Sequence, residues 1–211
     1  MIDYLLKYPD KLIQAFAEHI EIVLLTLLIS MIVASLLTIA AAYSKVVSAL
    51  LVTIFSMVYS IPSLALFAIL VPLTGLGKTT AIIVLVLYNQ YILLRNTLDG
   101  LNNVDASIIE VATGMGMNKS QLLFQVKLPL VIKPIFAGIH LAVVSTIGIA
   151  TIAASINAGG IGSILLDGLR TVNPAKILWG TLMAAGLAIV VNGVFNVIEK
   201  KLDKRERGLN Y

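Results

Sequence analysis

Gly77-Lys78-Thr79 is the one tripeptide in this chain whose residue types and order could hold a nucleotide. In G-x-x-x-x-G-K-[ST] the backbone N–H groups cradle phosphates, while the lysine reaches the outer ones. Here the first glycine of that pattern falls on Pro72, and no strand precedes it. The tripeptide is therefore read as a turn without nucleotide chemistry. Two histidines, His19 and His140, are far apart in sequence. Neither has a carboxylate at metal-ligand spacing, so no metal site is expected and His140 is read as a packing residue. The absence of cysteine removes thiolate zinc sites, iron–sulfur clusters, disulfides and thiol nucleophiles together. No nucleophile–base pair can be placed at one depth, which argues against an enzyme. Proton-coupled carriers need an intramembrane carboxylate relay, and none of the long apolar runs contains Asp, Glu, Lys or Arg. Energy for any transport must come from another subunit.

What remains is a surface for contact. Residues 105–134 form a long polar interruption in an otherwise apolar chain. Ser107 and Glu110 have the spacing of a capping box, which predicts a short helix starting near Ser107. Gly114-Met115-Gly116 permits the backbone angles that end it. Asn118 and Gln121 offer a second capping box, and the second helix is expected to stop by Leu128, before Pro129. Two short helices joined at a glycine elbow make a knob. Its apolar residues Ile108, Ile109, Met115, Met117, Leu122, Leu123 and Phe124 exceed what a free loop needs, so a docking partner is expected.

The elements that must carry this knob are membrane spans. Hydrophobic residues make up 59% and charged residues 12% of 211, the composition of an all-α integral membrane protein with a single domain. Four charge-free runs, 22–43, 46–73, 134–158 and 177–198, reach the roughly 20 residues a bilayer core requires. A fifth, 79–94, is shorter, about 24 Å long, and is expected inside the bundle. Pro62 in the middle of the second run predicts a kink or break, where freed carbonyls line a cavity or meet other helices. Pro62, Ser63, Ser145, Thr146 and Thr151 are accordingly candidate pathway or gate residues. Small residues four apart, such as Gly138 with Ala142, Ala150 with Ala154 and Ala184 with Ala188, allow helices to approach closely, within one subunit or between two. With the knob inside, ten basic residues lie on the inner side, five of them in the tail 199–211, against five outside. That bias predicts an outer N-terminus and a cytoplasmic C-terminus. Residues 1–21 read as an outer interfacial segment retained in the mature protein, residues 22–198 as the transmembrane domain and residues 199–211 as a basic cytoplasmic tail.

The knob resembles the EAA loop of bacterial ABC-importer permeases, in which Glu-Ala-Ala is followed after three residues by Gly and, nine residues later, by Ile-x-Leu-Pro. Glu110, Ala112, Gly116, Val126 in place of Ile, Leu128 and Pro129 register without a gap, and Val111 replaces the first Ala. Ser60-Ile61-Pro62-Ser63, Leu94-Arg95-Asn96-Thr97, Asp99-Gly100-Leu101, the stretch from Ser145 to Ala153 and Gly159-Gly160-Ile161-Gly162 are similar to permeases of osmoprotectant importers for glycine betaine, carnitine, choline and related quaternary amines. One departure is Thr113, where family members commonly carry Arg.

The resemblance implies a five-helix transmembrane domain of the small type I, methionine-importer-like kind, in the cytoplasmic membrane of a bacterium. It implies that Glu110, Ala112, Gly116, Val126, Leu128 and Pro129 form the ATPase-coupling loop. Two cytoplasmic ABC ATPase subunits would bind ATP and magnesium, so this chain needs no cofactor. A second permease, identical or paralogous, would complete the pathway. An extracellular or lipoprotein substrate-binding protein would deliver the solute; membrane lipid would surround the chain, and nucleic acid has no part. Another amine, an amino acid or a bile-type compound are the alternative solutes, and a membrane scaffold is the alternative role. With one tryptophan, Trp179, and no evident aromatic cluster, enclosure of a trimethylammonium group by cation–π attraction is expected in the separate binding protein.

Overall fold

The computed structural model describes residues 2–208, with side chains described for 3–201. The basic side chains of Lys204, Arg205 and Arg207, and residues 209–211, lie outside that range. All regular structure among the described residues is helical. A first turn, α1 (Ile2–Lys7), leads into α2 (Pro9–Ala42). Pro9 occupies the first turn of α2, where its missing N–H costs nothing, and Asp10 complements the dipole there. No glycine or proline interrupts the following stretch, so α2 runs unbroken for 34 residues. The boundary expected at residue 21 is therefore not a helix boundary: the first span and most of the segment before it are one element. Leu12, Ala15, His19, Ile22, Val23 and Thr26 are buried along it.

After a short turn, Ser44 caps α3 (Lys45–Ser60), its Oγ accepting the Val47 N–H at 3.4 Å. Then comes the break expected at Pro62. Helix α4 (Ser63–Thr74) departs from α3 at 98°. Among the described residues four helices are long and apolar enough to cross a membrane, or five where the bent pair α3–α4 counts as one broken span.

Helix α5 (Lys78–Asn102) corrects the expectation of a short third span. The helix has 25 residues and is about 38 Å long, continuing past the apolar run and Arg95, whose Nε pairs with Asp99 one turn on at 2.6 Å. Charge marked where the apolar run ends, not where the helix ends. Helix α5 is the centre of the bundle, packed against α2, α3, α4 and α9 (Ile132–Ile152). Phe67, Ile22 and Ile147 are fully buried around it, as is its own Leu85. Polar cross-links add to this packing: Asn89 Nδ2 donates to Thr146 Oγ1 at 2.9 Å, and Gln90 Nε2 donates to the Ser30 carbonyl at 3.3 Å.

Between α5 and α9 the chain forms α6 (Ala106–Gly114), α7 (Lys119–Gln121), a π-helical segment Leu122–Lys127 and α8 (Leu128–Leu130). Beyond α9, a 3₁₀ turn Ala153–Ile156 leads to α10 (Ile161–Arg170), a short amphipathic helix the sequence did not announce, and then α11 (Pro174–Gly208). Helix α10 lies close to α9 because Gly162 faces the Thr151 carbonyl, where any Cβ would collide. Gly138, Ala142, Ala150 and Ala154 are buried inside this subunit, so those two pairs are internal packing, whereas Ala184 and Ala188 are half-buried. His140 stacks on Phe195 with centroids 4.7 Å apart, the packing role expected of it.

Candidate functional site

The knob begins at an Asp rather than a Ser. Asp105 is the N-cap of α6, with Oδ1 accepting the Ser107 N–H at 2.9 Å. That backbone donor holds the Asp105 carboxyl below its ordinary range. The Ser107–Glu110 capping box does not form, because the helix starts at Ala106, leaving Ser107 inside the first turn. Glu110 is exposed instead.

At the other end of α6, the Met117 N–H bonds to the Ala112 carbonyl at 3.2 Å and the Gly116 N–H to the Thr113 carbonyl at 2.9 Å. These are the two bonds of a Schellman turn, which needs a left-handed residue at Gly116. Gly116 has φ of 87°, with nothing within 4 Å of the place a Cβ would take. The requirement for glycine is conformational, not steric. The second capping box forms as expected: Asn118 N–H to Gln121 Oε1 and Gln121 N–H to Asn118 Oδ1, both 2.9 Å.

Pro129 does not end the second helix, as it was expected to do. The chain widens into a π turn, in which the Leu128 N–H reaches the Leu123 carbonyl. This puts Pro129 in the first turn of α8, where a helix tolerates a missing N–H. The hinge into α9 is Val131, at φ −103° and ψ 18°.

Of the six loop positions, Ala112 is buried within the knob, Val126 and Leu128 are half-buried, and Glu110, Gly116 and Pro129 are exposed. Leu123 roots the knob, packed with Ala41, Leu94, Leu98, Leu101 and Val131. Ile108, Val111, Met115 and Phe124 are exposed. A cleft of about 370 Å³ runs between α6 and the π segment, lined by Ser107, Ile108, Val111, Ala112, Met115, Met117 and Val126. Val111 and Met115 thus present exposed apolar side chains beside this cleft.

The pathway candidates divide. At the break, Pro62 is exposed and Ser63 half-buried. The Ile61 carbonyl, unable to find a helical donor there, accepts the Tyr88 O–H at 2.5 Å. Ser145 and Thr151 are half-buried on α9, with Leu141, Gly148 and Ile152 exposed on neighbouring turns. Thr146 is buried, donating to the Ala142 carbonyl at 2.7 Å and bonded to Asn89, so it belongs to the inter-helix clamp rather than to an open surface. Gly77-Lys78-Thr79 is structural too: Lys78 Nζ pairs with Glu21 Oε2 at 2.7 Å.

One cluster escaped sequence reading. Tyr59, on the last turn of α3, meets Tyr88 edge-on at 5.6 Å and Tyr91 at 5.0 Å. The absence of an aromatic group expected from composition is thus corrected. Tyr88 and Tyr91 share a helix face at i, i+3, which was legible, but their meeting with Tyr59 needs the fold of α3 onto α5.

Comparison with known proteins agrees with this geometry. Residues 26–208 match the model of the family described as binding-protein-dependent transport system inner membrane component. The chain is 33% identical over 202 residues to the choline transport system permease protein OpuBB of Bacillus subtilis (strain 168), covering 96% of this chain and 93% of that protein. It has the same identity and coverage with the glycine betaine/carnitine/choline transport system permease protein OpuCB of that organism. In structure it is similar to a chain of the MetNI methionine ABC transporter in an inward-facing form, with a TM-score of 0.75 at 18% identity, over 94% of this chain and 97% of that one.

Proposed function

Because the chain belongs to the family of binding-protein-dependent transport system inner membrane components, we propose that it forms half of the translocation pathway of an ATP-driven importer for a quaternary amine such as glycine betaine, carnitine or choline. It is a multi-pass, non-catalytic permease subunit, and ATP hydrolysis and solute capture fall to an ATPase and a binding protein. The solute class rests on the relatives' substrates together with the resemblance of the second and fourth spans.

The observation that carries the coupling role is the knob: a capped, Schellman-turned pair of short helices that leaves Val111 and Met115 exposed beside an apolar cleft. An ATPase subunit docked there would move the knob as nucleotide state changes. Leu123 packs on Leu94, Leu98 and Leu101 of α5, so such a movement reaches the central helix. Helix α5 in turn holds the broken span through Tyr88 and Ile61. The partner supplies the differential binding energy between two states that any conformational change requires. The excess of basic residues on the knob side supports an orientation with the knob and C-terminus in the cytoplasm and the N-terminus outside. A second permease, the same chain or a paralogue, completes the pathway.

The test is a Val111→Glu, Met115→Glu double variant. Charges placed on the exposed apolar face need not disturb the fold but would have to be desolvated on docking. The variant should insert in the membrane and lose co-purification with the ATPase. Undiminished co-purification would place the ATPase contact elsewhere.

A further inference from the structure

We propose that Tyr59, Tyr88 and Tyr91 form a low-affinity station for the quaternary ammonium head of the solute inside the membrane; the inference rests on the quaternary-amine reading given above. The three rings converge from two helices at the point where the second span breaks. Aromatic side chains in membrane proteins ordinarily collect at the two interfaces. Tyr88 does not: it lies about 15 Å along α5 from Lys78 and about 10 Å from Arg95, near mid-depth, with Tyr91 one turn nearer Arg95. Tyr59 is 38% exposed and α3 has no buried residue, so the cluster opens to the side of the subunit at Tyr59, with Tyr91 half-buried behind it and Tyr88 buried at its base in the core.

Its electrostatics suit a cation that must also leave. Ring faces attract an alkylammonium group, and the carbonyl end of α3, terminating at Ser60, adds partial negative charge at the same point. No charged residue lies in 46–73 or 79–94; the nearest cation on α5, Arg95, four residues beyond Tyr91, is paired with Asp99.

The experiment uses the permease–ATPase complex in nanodiscs without binding protein, titrated with tetramethylammonium and, separately, with its uncharged near-isostere tert-butanol, read by saturation-transfer NMR. A Tyr59→Leu, Tyr91→Leu pair removes the ring faces, while Tyr59→Phe, Tyr91→Phe keeps them; Tyr88 stays, since it holds Ile61. Tetramethylammonium should bind the wild type and the Phe pair alike and bind the Leu pair about fivefold or more weakly, with tert-butanol indifferent to the changes. Equal tetramethylammonium binding by the Leu pair, no binding by the wild type, or parallel loss of tert-butanol would overturn the inference. If the Leu pair does not assemble, the single Tyr59→Leu at the exposed ring carries the same prediction, about threefold. Uptake by the full assembly separates the two readings. If the wild type takes up no quaternary amine, the solute class is wrong; if it does, and the Leu pair matches it in turnover and in tetramethylammonium binding, only the tyrosine station is wrong.

Discussion

At the level of single residues, Gly116 and Thr146 show how differently two predicted positions behave once folded. Gly116 sits at φ 87° in open surroundings, so any side chain there meets backbone strain of about 1–2 kcal/mol rather than a clash. Gly116→Leu should leave the chain in the membrane but misdirect the second knob helix, sharply reducing the ATPase rate stimulated by loaded binding protein; unchanged stimulation would remove Gly116 from the coupling account. Thr146 is a different case, because its hydroxyl partners Asn89 in the core. Thr146→Val should lower thermal stability by about 0.6–2 kcal/mol with uptake scaling only with the amount of folded protein. A change in uptake at full stability would restore it to the pathway. The cap at Asp105 carries a pH signature. Its carboxyl is held below the usual range by the Ser107 N–H, so its contribution is complete above the unfolded-state pKa and is lost as pH falls through the lower folded value. Asp105→Ala should therefore destabilise the knob at neutral pH, and the difference from wild type in hydrogen exchange of the Ser107 and Ile108 amides should shrink in acid. A pH-independent difference would mean the carboxylate is not the cap.

Helices were legible in the sequence where a local rule decided them. The break at Pro62, the elbow at Gly116 and the Asn118–Gln121 box follow from covalent geometry and short-range hydrogen bonding, and all three are present. The misses arose where neighbours decided. Charge at Arg95 marked the edge of an apolar run, but α5 continues through it, with Arg95 and Asp99 paired on its surface. Pro129 read as a stop, but a π turn absorbed it. Asp105 outcompeted Ser107 as a cap from two positions upstream. Meetings of α3 with α5, and hence the tyrosine cluster, depend on tertiary packing and left only the Tyr88–Tyr91 spacing as a trace. The pathway reading belongs to this scale as well. The chain has no native cysteine, so single cysteines at positions 62, 63, 145 and 151 in the full assembly should react with a water-soluble thiol reagent, at rates that change with nucleotide state. One at position 146 should be protected throughout. Protection at all five positions in every state would assign the break to packing.

At the scale of the whole molecule, the chain is a non-catalytic permease subunit whose energy comes from its partners. It has no complete phosphate-binding loop and no intramembrane carboxylate in its charge-free runs, while its knob leaves an apolar face exposed. The bundle has α5 at its centre, a bent helix pair beside it and the capped knob at one end. The central claim is tested most directly by solute flux into liposomes: labelled glycine betaine offered to the purified chain alone, and to the chain assembled with its ATPase and binding protein with ATP on the ATPase side. The account predicts concentrative, ATP-dependent uptake by the assembly and none by the chain alone. Saturable, concentrative uptake by the isolated chain would contradict it.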